Sequence, residues 1–225
     1  MIEYNRPGRF ALAATALLAS VAASASPVPQ SAQDIRPLLV GSAVPSVTLR
    51  NSQGKDIDLV AEIRAQPTVL IFYRGGWCPY CNTHLGELQQ LHPRLERLGY
   101  QILAISPDRP EKLTPCAAKN RLSYRLLSDS RMEAARAFGV AFRLDDQTVT
   151  KYRDHHGIDI EADSGQTHHQ LPVPSAFVVG ADGRIRFVHA DPDYKARVDA
   201  ELLYTAARAA VEQQRSAKPV GDVQR

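Results

Sequence analysis

One junction restricts the fold of this 225-residue chain more than any other feature: an apolar strand runs into a Cys-x-x-Cys pair and then into a helix. Residues 68–73 form a continuous apolar, β-rich run of the kind that a central strand shows. Two glycines interrupt the run, and Cys78 and Cys81 follow. From Pro79 onward, leucines recur every three or four residues with charged residues between them, which predicts an amphipathic helix. The cysteine pair is therefore expected where a buried strand ends and a helix begins.

Strands and helices alternate along most of the remaining chain. Further strands are predicted at residues 47–49, 57–59, 100–105 and 125–127, with a hairpin at 175–188, and further helices at 111–121, 131–138 and 198–211. Pro115 counts against the middle of the helix at 111–121. Residues 143–171 are polar, contain two His-His pairs and show no regular pattern. This order predicts one α/β domain over residues 40–214, and a hydrophobic content of 44% is enough for one core.

The amino-terminal segment, residues 1–25, has the pattern of a secretory signal peptide. Arg6 and Arg9 precede an apolar stretch rich in Ala and Leu, and the Ala-Ser-Ala at 23–25 provides the small residues that a signal peptidase reads. The stretch is short for a membrane-spanning helix, which needs about 20 apolar residues, so an uncleaved anchor is the less favoured alternative. We therefore expect an exported protein, periplasmic or secreted, with no stable membrane insertion after cleavage. A linker is expected at residues 26–39 and a polar tail at 215–225.

The charge of the chain gives no indication of a nucleic-acid partner. Its formal net charge is +3, and no basic stretch is interleaved with aromatic residues. We therefore expect no binding of DNA or RNA.

Three roles are open to Cys78 and Cys81: a metal-binding pair, a structural disulfide or a redox pair. A zinc site needs four ligands, and the chain has no second cysteine pair. The paired histidines at 155–156 and 168–169 are expected to be solvated, so no metal is predicted. A structural disulfide between these cysteines would close a very short loop and stabilise the fold little. Redox chemistry is favoured because backbone N–H groups at a helix start stabilise a thiolate.

In the redox interpretation, Cys78 is the exposed nucleophile and Cys81, one helical turn later, resolves the product. Arg74 is close in sequence and can add positive charge. Trp77 either offers an apolar face beside the sulfur or is an ordinary half-buried aromatic residue. No cofactor is predicted besides the two thiols.

Five segments carry a resemblance to known proteins. "FYRGGWCPYC" resembles thioredoxin-fold proteins, and the other four resemble the peroxiredoxin-like branch of the alkyl hydroperoxide reductase/thiol-specific antioxidant superfamily. The four segments are "HLGELQQL", "ILAISPDRPEKL", "LLSDSRMEAARAFGV" and "LPVPSAFVVGADGRIRFVHADPDY". The resemblance covers roughly residues 40–205. It implies an α/β thioredoxin fold, in which a central mixed β-sheet is flanked by helices.

The resemblance also implies roles for individual residues, with departures from the family pattern. Pro174 is expected to be a cis-proline facing the cysteine pair, although only about 5–6% of X–Pro bonds are cis and a trans turn proline is the alternative. Peroxiredoxins carry a Pro, a Thr and an Arg around the reactive cysteine. Here Gly75 stands where the Thr is expected, and the Arg is missing near Pro174, so Arg74 is a candidate substitute. Phe72 occupies the place of the buried Asp that thioredoxins use as a proton relay.

Three functions follow from these observations. The leading hypothesis is an antioxidant thiol peroxidase, in which Cys78 attacks a hydroperoxide and Cys81 condenses with the sulfenic acid. Its electron donor is expected to be a thioredoxin-like protein or a small thiol. The second is a thiol–disulfide oxidoreductase acting on protein disulfides, which the missing Thr and Arg favour. The third is a non-enzymatic binding module whose disulfide is inert.

The third cysteine, Cys116, has two interpretations. Some atypical thiol peroxidases place a resolving cysteine at about this position in the helix. A free cysteine is more often a small buried hydrophobic residue. We favour the buried interpretation, because Cys81 is the nearer resolving thiol.

Cleavage after residue 25 is testable by intact mass. The exported protein should begin near Ser26, because signal peptidase reads the small residues at 23 and 25. Mass spectrometry of the secreted or periplasmic fraction measures this directly. A mature protein that retains residues 1–25 would contradict the signal-peptide interpretation.

Overall fold

The computed structural model describes residues 27–216. The predicted signal peptide at 1–25 and most of the predicted tail, residues 217–225, lie outside the described residues. Within the described part of the chain, no helix is both long enough and apolar enough to cross a membrane.

Seven strands form one mixed sheet. They are β1 (Thr48–Arg50), β2 (Asp56–Asp58), β3 (Thr68–Phe72), β4 (Gln101–Ser106), β5 (Arg125–Ser128), β8 (Ser175–Val179) and β9 (Ile185–Ala190). A separate two-stranded ribbon pairs β6 (Ala141–Arg143) with β7 (Gln170–Pro172). The strand order of the large sheet is β2-β1-β5-β4-β3-β8-β9. β3, β4 and β5 run parallel to one another, and the remaining pairs are antiparallel.

Helices cover both faces of the sheet. They are α1 (Leu59–Ala65), α2 (Pro79–Arg97), α3 (Pro110–Lys119), α4 (Glu133–Ala137), α5 (Asp146–His156), α6 (Ile160–Ser164) and α7 (Ala200–Ser216), and a 3₁₀ turn spans Ala32–Asp34. The predicted α/β architecture, with a central mixed sheet between helices, is confirmed.

The central strand β3 connects the two halves of the core. All five of its residues are buried, and it lies between β4 and β8. Val69 and Ile71 pack into the layer that contains α2 and α7, whereas Leu70 and Phe72 pack into the layer of α1 and α4. This alternation fixes the register of the strand, since a slip by one residue would exchange the two faces. The carboxyl end of β3, which leads to Cys78, is therefore held in one position.

A stripe of leucines attaches α2 to the sheet. Leu85, Leu88, Leu91 and Leu95 are at most 3% exposed, as their spacing in the sequence predicts. Full burial of one such side chain contributes about 1.5–3 kcal/mol relative to exposure. The helix ends at Leu98, before a glycine with a positive φ of 90°. The stripe thus holds the amino terminus of α2 against the end of β3.

The strands and helices predicted from the sequence are present within a few residues of their expected bounds. The predicted helix at 111–121 forms as α3 despite Pro115, which lies inside it. The segment 143–171, where no pattern was visible, contains α5, α6 and β7. These elements have few apolar residues, because they bury only a small cluster of Leu144, Val149, Ile160 and Leu171. The sequence therefore shows no apolar stripe in this segment. The helices are defined by their caps instead: at the start of α5, the Asp145 side chain accepts a hydrogen bond from the Thr148 N–H.

The predicted linker at 26–39 is ordered against the domain from residue 27 onward. The N–H groups of Arg36 and Leu38 donate to the carbonyls of Gly139 (3.0 Å) and Phe138 (3.1 Å). Ile35 is buried. The described part of this segment is therefore packed on the fold and does not act as a free tether.

Gly139 offers a test of this packing. Its φ is +71°, and a Cβ built there would lie 1.9 Å from the Arg36 carbonyl oxygen. We expect Gly139→Ala to lower the free energy of unfolding by about 1–3 kcal/mol, because both the backbone conformation and the contact resist a side chain. Denaturant unfolding measures the loss. Gly86→Ala in α2 is the matched control, since a Cβ at residue 86 meets nothing within 4 Å and Ala favours a helix. Equal stability of the Gly139→Ala variant and the wild type would contradict the packing.

Candidate active site

Cys78 lies at the boundary between the central strand and helix α2. It is the N-cap residue of α2, with Pro79 in the first helical turn, and its N–H donates to the Gly75 carbonyl at 3.1 Å. The fixed φ of proline and its missing N–H suit this helix position. The strand–helix junction predicted from the sequence is thus observed.

The expected exposure of Cys78 is wrong. Cys78 is 1% exposed and Cys81 is fully buried. Both cysteines belong to the core cluster between the sheet and α2, and Trp77 packs against this cluster as a partly buried residue. Cys78 is buried because the leucine stripe draws the start of α2 into the core. The protein in this structure holds both residues as free thiols.

The two thiols have strongly different acidities. The pKa of Cys78 is lowered to about 6, chiefly by a hydrogen bond from the Cys81 thiol; burial opposes this, while the Cys81 backbone N–H, Arg74 and Arg197 favour it. The pKa of Cys81 is raised well above its ordinary value by the same hydrogen bond and by burial. At neutral pH, Cys78 is therefore mainly a thiolate, and Cys81 keeps the shared proton.

Arg74 lies directly after β3 and is buried, with an exposure of 4%. Its Nη2 donates to the Tyr152 hydroxyl at 2.5 Å, and its Nε has no hydrogen-bond partner. The guanidinium carbon lies 4.5 Å from the ring centre of Tyr194 and 5.1 Å from that of Trp77, within cation–π range. The predicted positive charge beside Cys78 is therefore present, and aromatic rings enclose it.

Arg197 was not identified from the sequence. It lies between β9 and α7, and its Nη2 donates to the Cys81 Sγ at 3.3 Å. The contact joins residues 116 positions apart. No motif or spacing connects them, and only the fold of the carboxy-terminal segment brings them together.

The turn between β3 and Cys78 has no room for a side chain at Gly75. Its φ is +144°, and a Cβ there would lie 2.4 Å from the Trp77 Nε1 and 2.9 Å from the Asp108 Oδ1. The Gly76 N–H donates to the Asp108 Oδ2 at 2.8 Å, and the Ser106 hydroxyl donates to the same oxygen at 3.0 Å. The Gly in place of the expected Thr is thus a steric requirement of this turn.

Asp108 was not identified as a residue of the site from the sequence. It is 3% exposed, and burial raises its pKa to about 6. It anchors the Gly76 N–H, which connects the end of β4 to the turn that positions Cys78. No sequence pattern indicates this contact, because the two residues are 32 positions apart.

The expectation of a cis-proline at Pro174 is wrong, since the described residues contain no cis peptide bond. The trans bond suits the chain here, because β7 ends at Pro172 and β8 begins at Ser175 in an extended connection. Pro174 nevertheless lies near the site. It lines a cavity of about 250 Å³ together with Arg74, Tyr152 and Tyr194.

Cys116 lies in α3, behind the glycine turn. A Cβ at Gly76 would lie 3.1 Å from its Sγ. Cys116 is 6% exposed, and burial raises its pKa to about 11. In the reduced protein it is therefore a buried, protonated thiol, as the favoured interpretation expected.

The paired histidines differ from one another. His155 and His156 are exposed on α5, as expected. His168 and His169 are partly buried and hydrogen-bonded, His168 to the Ser130 carbonyl and His169 to Asp146 and Glu161. Across residues 27–216, no three His, Cys, Asp or Glu side chains are grouped as a metal site would require.

Comparisons with known proteins agree on one family. The model of the AhpC/TSA family matches residues 40–188. The putative peroxiredoxin bcp of Haemophilus influenzae is 37% identical over 106 residues, which cover 47% of this chain and 68% of the relative. Peroxiredoxin Bcp of Escherichia coli K12 is 31% identical over 106 residues, which cover 47% and 67%.

Solved structures show the same fold. The peroxidoxin BcpB of Mycobacterium tuberculosis superposes with a TM-score of 0.56 at 20% identity, covering 80% of this chain and 98% of that one. Enterococcus faecalis AhpC gives a TM-score of 0.61 at 18% identity, covering 82% and 99%. The thioredoxin fold implied by the sequence resemblance is confirmed.

The hydrogen bond between the two thiols can be tested by titration. We expect Cys81→Ala to raise the Cys78 pKa from about 6 toward the ordinary value of about 8.5, because the variant removes the largest cause of the lowering. The pH dependence of iodoacetamide labelling measures the midpoint. Cys116→Ala is the matched control and should leave the midpoint unchanged. An unshifted midpoint in Cys81→Ala would contradict the shared proton.

Proposed function

The chain belongs to the AhpC/TSA family, and from this premise we propose that it reduces hydroperoxides with Cys78 as the attacking thiolate and Cys81 as the resolving thiol. Relatives named peroxiredoxins support an antioxidant thiol-dependent oxidoreductase. The observation that carries the assignment of roles is the asymmetry of the pair. Cys78 has a pKa of about 6, whereas that of Cys81 is raised well above normal.

The first step uses the Cys78 thiolate as a nucleophile. The sulfur attacks one oxygen of the hydroperoxide, the O–O bond breaks, and the alcohol or water leaves after taking a proton. Cys78 becomes a sulfenic acid. Arg74 is placed to stabilise the negative charge, because it is a buried cation beside Cys78 and lowers the Cys78 pKa.

The second step converts the sulfenic acid into a disulfide. The Cys81 sulfur attacks the Cys78 sulfenic acid, a disulfide forms, and water leaves. A thiol donor then reduces the disulfide by exchange, in two successive thiolate attacks. We propose a thioredoxin-like protein or a small thiol as this donor, and no cofactor besides thiols.

A second candidate function is thiol–disulfide exchange on protein disulfides. It is supported by the Cys-x-x-Cys at a helix start, with the second thiol hydrogen-bonded to the first, and by Gly75 in place of a Thr. The inert binding module is the weakest of the three, because a cysteine whose pKa is lowered beside two arginines is a nucleophile at neutral pH.

Export of the protein is also a proposal. It rests on the basic, apolar and small-residue pattern of residues 1–25. In an oxidising compartment the disulfide form would accumulate unless a dedicated thiol donor is present. This places a requirement on the partner: it must deliver reducing equivalents outside the cytosol.

Two assays on the mature protein distinguish the functions, both with dithiothreitol as the electron source. We expect rapid hydroperoxide consumption and slow reduction of insulin disulfides. Cys78→Ser should abolish the first activity, since no thiolate remains to attack. Cys81→Ser should complete the first step and accumulate a sulfenic acid, which dimedone labels and mass spectrometry detects.

Cys116→Ser is the matched control, because it removes a buried thiol outside the pair. It should keep its turnover and still form a Cys78–Cys81 link, seen by peptide mapping after mild peroxide treatment. A Cys78–Cys116 link in the wild type would show that Cys116 is the resolving thiol. Insulin reduction without peroxide consumption would replace the peroxidase by the disulfide oxidoreductase.

A further inference from the structure

The guanidinium of Arg197 is held against the resolving sulfur. Its Nη1 donates to the carbonyls of Tyr194 and Ala196, each at 2.6 Å, and its Nη2 donates to the Cys81 Sγ at 3.3 Å. Its Nε is buried without a partner. Two backbone bonds thus fix the planar fork, so that one N–H points at sulfur without further ordering of the side chain.

Arg197 has no carboxylate partner in the described part of the chain. None of the ion pairs found among residues 27–216 includes it. The histidines closest to it electrostatically are His84 and His189; burial lowers the pKa of both, that of His84 to about 3, so they are neutral at pH 7. Arg197 is partly buried, with its Nε fully so, and a cation taken out of water without a counter-ion is costly. The charge of Arg197 favours the thiolate forms of both Cys78 and Cys81, and Asp191 lies within electrostatic reach of the neighbouring His189.

The two arginines serve different sulfurs. Arg74 is the stronger positive influence on Cys78, ahead of Arg197. Arg197 alone of the two has a side chain that hydrogen-bonds the Cys81 sulfur. The reduced site therefore has one cation for each step of a two-step reaction.

Oxidation of Cys78 changes the balance at Cys81. In the reduced site, the causes that raise the Cys81 pKa are its hydrogen bond to Cys78, burial, and the negative charge of Cys78. A sulfenic acid carries no such charge. Once Cys78 is oxidised, burial remains as the opposing cause, and the charge of Arg197 still favours the thiolate.

We propose that Arg197 is a catalytic residue of the resolving step, where its N–H and charge stabilise the Cys81 thiolate while that sulfur attacks Cys78. This inference rests on the proposed function. Cys81 gives up its proton, its sulfur forms a bond to the Cys78 sulfur, and the S–O bond breaks with its electron pair. The leaving hydroxide takes up a proton to become water. The Cys81 sulfur is oxidised, and the sulfenic sulfur is reduced to the level of a disulfide.

The expected effect is larger on the pH profile than on the rate. For each unit by which the Cys81 pKa rises, the thiolate fraction at neutral pH falls tenfold, but the more basic thiolate attacks roughly threefold faster. Loss of Arg197 should therefore slow disulfide formation by about threefold to tenfold and move its pH midpoint upward. The first step should change much less, since Arg74 remains.

The test is a single turnover of the reduced protein with one equivalent of hydrogen peroxide. The sulfenic acid is trapped with dimedone at successive times, and disulfide is measured as loss of free thiol across a pH series. The variants are Arg197→Gln, which keeps a hydrogen-bond donor without charge, and Arg197→Met, which removes both. Arg208→Met on α7 is the matched control, because Arg208 is an exposed arginine whose ion-pair partner is Glu212.

The proposal predicts that, relative to the wild type, both Arg197 variants have a longer-lived sulfenic acid and a higher pH midpoint of disulfide formation. Arg208→Met should match the wild type in both quantities. Disulfide formation in both Arg197 variants at the wild-type rate and midpoint would overturn it. Equal slowing of the first and second steps would also overturn it, since Arg197 would then act through Cys78. A wild type that forms no sulfenic acid would overturn the proposed function itself, which separates the two failures. Native circular dichroism of Arg197→Gln ensures that the comparison is made on folded protein.

Discussion

The turn between β3 and α2 has to place a sulfur at the start of a helix without leaving the core. β3 is fixed by its buried register, and α2 is fixed by its leucine stripe, so the six residues between them, 73–78, have little freedom. At Gly75 a side chain would overlap both Trp77 and Asp108, and the next N–H is held by the Asp108 carboxylate. The position of Cys78, and with it the chemistry of the site, depends on this close approach of backbone to side chains.

Within this turn and the adjoining helix, the two sulfurs share one proton. Arg74 is the stronger positive influence on Cys78, and Arg197 hydrogen-bonds Cys81. The Cys81 thiol donates to the Cys78 thiolate, which makes the first sulfur acidic at the expense of the second. Such an arrangement suits a nucleophile but hinders the resolving thiol, whose proton is hard to remove until the charge on Cys78 has gone. In the proposed reaction, peroxide removes that charge, so the product of the first step prepares the second. The order of the two steps is thus built into the electrostatics of the pair.

The sequence was sufficient for the parts of the fold that repeat a pattern. The apolar run of β3, the leucine spacing of α2 and the turn of the hairpin at 175–188 predicted their elements, because burial imposes a period on the sequence. The Cys-x-x-Cys likewise predicted a cysteine pair at the junction of a buried strand and a helix, where the structure has it. Prediction from the sequence failed where a single contact decides the structure. Arg197 and Asp108 reach the site across 116 and 32 residues, and the segment 143–171 folds on caps and a small cluster with no apolar stripe.

The segment 143–171 matters for the choice between the two chemistries. It brings Tyr152 over the site, where its hydroxyl binds Arg74 and its ring lies 6.0 Å from that of Trp77. Cys78 itself is 1% exposed. A small hydroperoxide can reach such a sulfur through local movement of side chains, whereas the disulfide of a folded protein requires an open surface around it. The burial of Cys78 contradicts the exposed nucleophile of a disulfide reductase and therefore favours the peroxidase.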